Sequence, residues 1–287
     1  MHEPNPITLA AKASDEPEFR PIGVGPWEEE HTGEPRPDNP ESPNYDARFS
    51  TELLDEGDQR NVLDCYRYWK VEAIKADLDS KGRHEFEVAV ENWTHDFNIG
   101  SMVRTANAFT AKKVYIVGPH KWNRKGSLMT ELYQYVECCP TIETLVNNWR
   151  ENIAREAEEA HQLLLKAQAE GNKEAEKIAN IKEQDAKNAR VIALDIIPGA
   201  VAMENYKFPK RCLMLFGAEG PGLSKKALQM ADDVVYISQF GSVRSLNAGA
   251  AAAVSMHAWI TQHAAPNCWI LIKILIKISA AKFQQKY

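Results

Sequence analysis

Residues 215–224, LFGAEGPGLS, continue an apolar run, Cys212 to Phe216 (CLMLF), and lead into a segment with helical character. A strand that ends in glycines and then turns into a helix is half of a βαβ unit. Ligands of open α/β sheets bind where such strands end. Gly217, Gly220 and Gly222 can leave backbone N–H groups open to a ligand, with Glu219 held among them. The run is not a P-loop, since no Gly-Lys-Ser/Thr follows, and its glycine spacing reverses that of the dinucleotide fingerprint. The plain alternative is a Gly-Pro turn of structural purpose only.

Two more segments share this pattern. Upstream, Phe86 to Val90 (FEVAV) reads as a strand, Ile99 to Phe109 as a helix and Val114 to Val117 as a second strand. Between them lies ENWTHDFNIGSMVRTANAF, residues 91–109, with Asn98 at the turn and Arg104 six residues on. Asn98 as a helix cap and Arg104 as an ordinary ion-pairing residue would explain that segment alone. Downstream, Val234 to Ile237 reads as a strand and runs into ISQFGSVRSLNAGAAAAVS, residues 237–255. There Ser245-Leu246-Asn247 opens an alanine-rich helix whose small residues permit close backbone packing. Ser245 or Asn247 as a simple N-cap is the competing reading. With a further strand at Val191 to Leu194, the fold class is α/β, a mostly parallel sheet with helices on both faces.

The stretch 147–190 contains no proline and a single glycine, Gly171, and reads as a charged helical hairpin broken there and inserted into the sheet domain. Ile153, Ala157, Ala160, Leu164 and Ala167 give its first half a narrow apolar seam.

Of 287 residues 44% are hydrophobic, enough for one substantial core and a smaller appendage. The net charge of -6 argues against nucleic acid until it is divided along the chain: residues 1–60 hold five Lys/Arg against fifteen Asp/Glu, so residues 61–287 are net positive. That leader carries nine of the fifteen prolines and is expected to be mostly disordered over residues 1–45, with Phe19 to Trp27 as the one apolar cluster able to lie across a folded domain. Residues 46–85 read as a helical extension, with a helix from Asp58 to Leu78 carrying Arg60, Arg67 and Lys70. The sheet domain occupies 86–263, and residues 264–287, including CWILIKILIKI at 268–278, form an atypical tail. Cys65, Cys138, Cys139, Cys212 and Cys268 are an odd number without metal-ligand spacing, so they are expected to be reduced, with no metal. No apolar run reaches the roughly 20 residues that cross a bilayer. The start of the chain has no basic segment leading into a hydrophobic stretch, so a cytoplasmic protein is expected.

The three loop segments, in this order, resemble the SpoU (TrmH-like) family of RNA ribose 2'-O-methyltransferases in the SPOUT superfamily. The resemblance rests on Asn98 with Arg104, on the run Phe216 to Ser224, and on Ser245-Leu246-Asn247, and it extends from about Phe86 to about His263. Ser238 and Thr110 depart from it, standing where the family usually has proline and glycine. The resemblance implies a C-terminal trefoil knot, a homodimer, and S-adenosylmethionine bound in the knot through Gly217, Ile237 and Leu246. It makes Arg104 the catalytic arginine and gives Asn98, Glu219, Ser245 and Asn247 the task of orienting it and the loops. Its substrate is a structured RNA, tRNA or rRNA. A basic run with an aromatic, PHKWNRKG at 119–126, supports RNA binding through Lys121, Trp122, Arg124 and Lys125, with Arg60, Arg67 and Lys70 extending that surface. The alternatives are a non-catalytic RNA-binding or assembly factor with the same fold, and an unrelated nucleotide-binding enzyme.

Overall fold

Trp27 is buried with Leu54 and Tyr68, and Val24, Phe49 and Leu53 pack against them, so the proline-rich leader is folded from residue 23 onward. The computed structural model describes residues 5–13, 23–92 and 98–264. The tail beyond Ala264, with Cys268, and residues 14–22 of the leader lie outside the described residues. The chain divides into two units, residues 1–76 and 77–287.

The first unit holds helices α1 (Pro6–Ala13), α2 (Trp27–Glu30) and α3 (Thr51–Glu56) and the start of α4 (Val71–Lys81), in which the second unit begins. Expected disorder through residue 45 is therefore corrected for residues 23–45. Val24 pairs with Asp58, the Tyr68 hydroxyl donates to the Gly25 carbonyl at 2.7 Å, and aromatic contacts with Trp27 offset the ordering entropy that composition alone suggested was too large. The helix expected from Asp58 to Leu78 is also corrected. Asp58 is fully buried and accepts from the Arg60 side chain at 2.8 and 2.6 Å and from the Tyr68 N–H at 2.9 Å, which holds residues 58–70 in an irregular path until α4 starts. Burial alone would raise the Asp58 carboxyl, but those hydrogen bonds outweigh it and hold it below its ordinary value. Of the three residues expected to extend the RNA surface, Arg60 is buried on Asp58, whereas Arg67 is half-buried and donates to the Arg60 carbonyl, and Lys70 is exposed and donates to the Ala47 carbonyl.

A chain beginning at Asp46 loses Trp27 and the Val24–Asp58 pairing. Trypsin is expected to cleave the remainder of the first unit at least about tenfold faster than in the full chain, because removing a buried Trp costs about 3–5 kcal/mol. Cleavage at an unchanged rate would show that residues 23–45 add nothing to that unit.

The second unit is a sheet of seven strands in the order β3-β2-β1-β6-β4-β7-β5, parallel at every pairing. The strands are β1 (His84–Glu91), β2 (Ala111–Val117), β3 (Val136–Cys139), β4 (Arg190–Leu194), β5 (Val201–Ala202), β6 (Cys212–Phe216) and β7 (Asp233–Tyr236). Helix α5 (Asn98–Ala108) joins β1 to β2. Helices α6 (Ile142–Ala169) and α7 (Lys173–Lys187) join β3 to β4, α8 (Lys225–Met230) joins β6 to β7, and α9 (Ala248–His263) follows β7.

Strand residues alternate between two dry faces. Phe86, Val88, Val90, Cys212, Met214 and Phe216 pack with Ile99, Met102 and Val103 of α5 and Met256 and Trp259 of α9. Ala89, Leu213 and Leu215 pack with Leu145, Val146 and Trp149 of α6 and Ala227 of α8. Coverage of both faces is what an all-parallel sheet requires, and it explains the unbroken apolar run of β6. The expected hairpin breaks where Gly171 adopts a φ of +66°, but α6 starts earlier than residue 147 because its first turns roof the sheet.

Glu87 stands in the middle of β1, 3% exposed, and accepts from the Tyr115 hydroxyl at 2.7 Å, the Trp149 indole at 3.3 Å and Arg211 at 2.5 Å. Arg211 also reaches Glu156 at 3.1 Å, so one buried network ties α6 to β1, β2 and the start of β6. Cys65, Cys138, Cys139 and Cys212 are free thiols, and burial pushes the Cys139 and Cys212 thiols up, away from reactivity.

Candidate active site

Because β1, β6, β4 and β7 are consecutive neighbours running the same way, the loops after them leave from one edge of the sheet. Those are the three loops singled out in the sequence, plus the turn after β4. A cavity of about 440 Å³ opens among the loops after β4, β6 and β7. Its lining includes Gly217, Ile237 and Leu246, the residues expected at a cofactor, together with Glu219, Ser245 and Asn247.

The loops are joined by side chains. Asn98, the first residue of α5, donates from Nδ2 to Glu219 Oε2 in the second loop. Asn247 donates from Nδ2 to Asn98 Oδ1 at 2.9 Å and lies 3.5 Å from Glu219 Oε1. Its Oδ1 meanwhile accepts from the Ala250 N–H at 3.2 Å and caps α9. The capping reading of Asn247 is thus correct, and incomplete, since the same amide also links the third loop to the first. A fourth link comes from Glu91 at the end of β1, whose carboxylate, 1% exposed, accepts from the N–H and the hydroxyl of Ser224 at 2.7 Å each. Ser224 in turn caps α8.

Backbone contacts set the loop shapes. A Cβ on Gly217 would stand 2.1 Å from the Gly222 carbonyl carbon and 2.3 Å from the Leu223 nitrogen. The loop closes on itself there, with the Gly222 N–H donating to the Ala218 carbonyl at 3.1 Å. Gly217 is needed first for that closure, and not simply for an approaching ligand as its position after a strand suggested. Gly249 brings α9 against Asn98, to which a Cβ would come within 3.4 Å, so the small residues of α9 serve the contact with α5.

Arg104 lies apart from the cavity lining. It is exposed and makes no hydrogen bond or ion pair with a described residue. Gly100 and Arg104 share one face of α5, and helical side chains lean toward the helix N-terminus, so Arg104 leans toward the end that carries Asn98. At Gly100 that face meets the backbone of Gly126 and Ser127, where a Cβ would come to 2.8 Å. The basic run therefore packs beside Arg104. Lys121, Arg124 and Lys125 are exposed on it. Trp122, expected to stack on a base, is half-buried against the core, with the Arg124 guanidinium 5.8 Å from its ring centroid. It packs against the core on one side and stays partly exposed.

Further residues line the cavity beyond those expected at the site. Asp195 and Ile196 line the cavity directly after β4, where any strand end of such a sheet is a candidate. Gln239 and Arg244 line it from the third loop, in the stretch between the β7 strand and Ser245.

A model of the SpoU rRNA Methylase family matches residues 85–257. The tRNA (guanosine(18)-2'-O)-methyltransferase of Saccharomyces cerevisiae is 34% identical over 84 residues, which are 29% of this chain and 6% of that protein, so the chain spans only a small part of that curated relative's length. Among solved structures, the SpoU methyltransferase AviRb from Streptomyces viridochromogenes, crystallised with AdoMet, aligns with a TM-score of 0.46 and 24% identity over 63% of this chain and 58% of that one. The TrmH/SpoU tRNA modifying enzyme of A. aeolicus aligns with a TM-score of 0.49 and 14% identity over 67% of this chain and 81% of that one. The family model takes in β1, α5 and all three converging loops and covers more than half of the sequence, and on that match the chain belongs to the SpoU rRNA Methylase family.

Proposed function

We propose that this chain transfers a methyl group from S-adenosylmethionine to a ribose 2'-hydroxyl of a structured RNA, tRNA or rRNA. The observation that carries this reading is the joint of Asn98, Glu219 and Asn247 at a cavity that also holds Gly217, Ile237 and Leu246.

The residues present fit the cofactor. The cavity volume lies in the range of small-molecule sites, and Leu194, Ile196, Ile237 and Leu246 give it apolar walls. Gln239 Oε1 is buried in the lining without a hydrogen-bond partner and is an acceptor for an amine or ammonium donor of a ligand. Bound there, S-adenosylmethionine supplies an electrophilic methyl carbon.

A ribose 2'-hydroxyl is a weak nucleophile until it is oriented and its proton is removed. Arg104 presents a planar, bidentate donor fork that holds the neighbouring phosphate and the ribose oxygen and, by its positive charge, favours loss of the hydroxyl proton to solvent water. Asn98, Glu219 and Asn247 brace the helix that carries it against the cofactor loops, and Ser245 lines the cavity at the end of the third loop, just before α9. In this reading the second and third loops and α9 form a trefoil knot, and two copies pair so that each site draws residues from both. Among the described residues no helix is long and apolar enough to cross a membrane. A cytoplasmic location goes with the RNA substrate of this proposal.

Lys121, Arg124 and Lys125 engage phosphates beside Arg104. The double substitution Lys121→Ala with Arg124→Ala is expected to weaken RNA binding and to reduce the slope of log affinity against log salt by about 1.4–1.8, with single-turnover transfer at saturating RNA unchanged. An unchanged slope would remove this loop from the RNA path.

A further inference from the structure

Phe240 is 97% exposed, more than any other large hydrophobic side chain among the described residues, and Val243 on the same loop is 63% exposed. Its neighbour Gln239 and nearby Arg244 both line the cavity, so Phe240 stands at the cavity rim. Arg244 is exposed and makes no hydrogen bond or ion pair with a described residue. Among the described residues neither the Phe240 ring nor the Arg244 guanidinium, four positions apart on one loop, has a hydrogen-bond, ion-pair or ring partner.

We propose that Phe240 and Arg244 form a nucleotide subsite at the rim, Phe240 stacking on an unpaired base and Arg244 holding a backbone phosphate of the same strand. Bases inside a duplex already stack on their neighbours, so only a loop, bulge or end offers a free face. Stacking on an aromatic tolerates any base, so this subsite selects for an unpaired nucleotide and not for a sequence. The proposal rests on the methyltransferase reading and narrows its substrate to RNA with single-stranded structure at or beside the modified ribose.

The test uses the full chain and a stem-loop RNA carrying 2-aminopurine in its loop, with a fully paired duplex as comparison, titrated without S-adenosylmethionine. The wild type is expected to bind the stem-loop more tightly than the duplex and to change the 2-aminopurine fluorescence. Phe240→Ala is expected to weaken stem-loop binding by about tenfold or more and to abolish the fluorescence change, while Phe240→Trp retains both. Arg244→Ala is expected to reduce the salt slope by about 0.7, the single-strand value for one phosphate. Calorimetric affinity for S-adenosylmethionine is expected to be the same in Phe240→Ala, Phe240→Trp and the wild type. Wild-type stem-loop binding by Phe240→Ala overturns the proposal. So does equal wild-type affinity for duplex and stem-loop, or a loss confined to S-adenosylmethionine affinity. If Phe240→Ala instead lowers the sedimentation coefficient and leaves RNA binding intact, Phe240 is a contact between copies and the proposal fails. Because binding is read without the cofactor, absence of methyl transfer by the wild type would count against the proposed reaction and leave this result standing.

Discussion

Arg104→Ala and Arg104→Lys are expected to bind S-adenosylmethionine with nearly wild-type affinity and to transfer methyl groups to RNA at least about a hundredfold more slowly. Separation of the two effects follows from the layout. Arg104 lies outside the cavity lining, on a face of α5 that adjoins the basic run, whereas the cavity is built by the loops after β4, β6 and β7. Lysine should fail nearly as badly as alanine, since a point charge cannot reproduce a planar fork on a phosphate and a ribose oxygen. Single-turnover assays with radiolabelled methyl groups, alongside calorimetry, give both quantities. Wild-type turnover by Arg104→Ala would rule out the proposed mechanism while leaving family membership intact.

Gly217→Ala should be almost as damaging, through a different cause. A carbon 2.1 Å from the Gly222 carbonyl carbon cannot be accommodated by rotating a side chain, because every close atom is backbone. The loop has to open, and with it move Glu219 and the cavity wall. Loss of S-adenosylmethionine affinity by about a hundredfold or more is expected, with a stability loss of about 1–3 kcal/mol from overpacking. Gly171→Ala is the comparison: a Cβ there meets nothing within 4 Å, and the strain of a φ of +66° costs about 1 kcal/mol without touching the cavity. Calorimetry and thermal melting of both variants separate loop closure from general destabilisation. Cofactor affinity unchanged in Gly217→Ala would mean that closure of this loop does not shape the site.

The strands that build the site were legible because each is a short apolar run ending in a turn signal. Cys212 to Phe216 is observed with the same limits that its composition suggests, and β1, β2, β4 and β7 are displaced by only a few residues. Strands β3 and β5 were not legible. Val136–Cys139 lies at one edge of the sheet with Glu137 and Cys138 exposed, and Val201–Ala202 is two residues long, so neither carries a buried apolar period. The leader misled for a physical reason. Composition averages over residues 1–60, whereas order in residues 23–45 depends on one indole, Trp27, and on contacts to residues more than 25 positions away. Glu87 was hidden for the same kind of reason, because its partners Tyr115, Trp149 and Arg211 converge only when the sheet and α6 are assembled. At the site, Asn98, Glu219 and Asn247 were named from their motifs. Their mutual hydrogen bonds follow from strand order, which no single segment encodes.

The chemical position of a transferred methyl group tests the proposed reaction itself. The full chain would be incubated with radiolabelled S-adenosylmethionine and unmodified tRNA and rRNA, and the RNA digested with alkali. A 2'-O-methyl group blocks cleavage at its own nucleotide, because the 2'-hydroxyl is the attacking group of that hydrolysis. Label is expected in alkali-resistant dinucleotides, and is expected to be absent when Arg104 is replaced by alanine. Label in ordinary mononucleotides, meaning a methyl group on a base, would contradict the proposed reaction, as would a chain that binds S-adenosylmethionine and labels neither RNA.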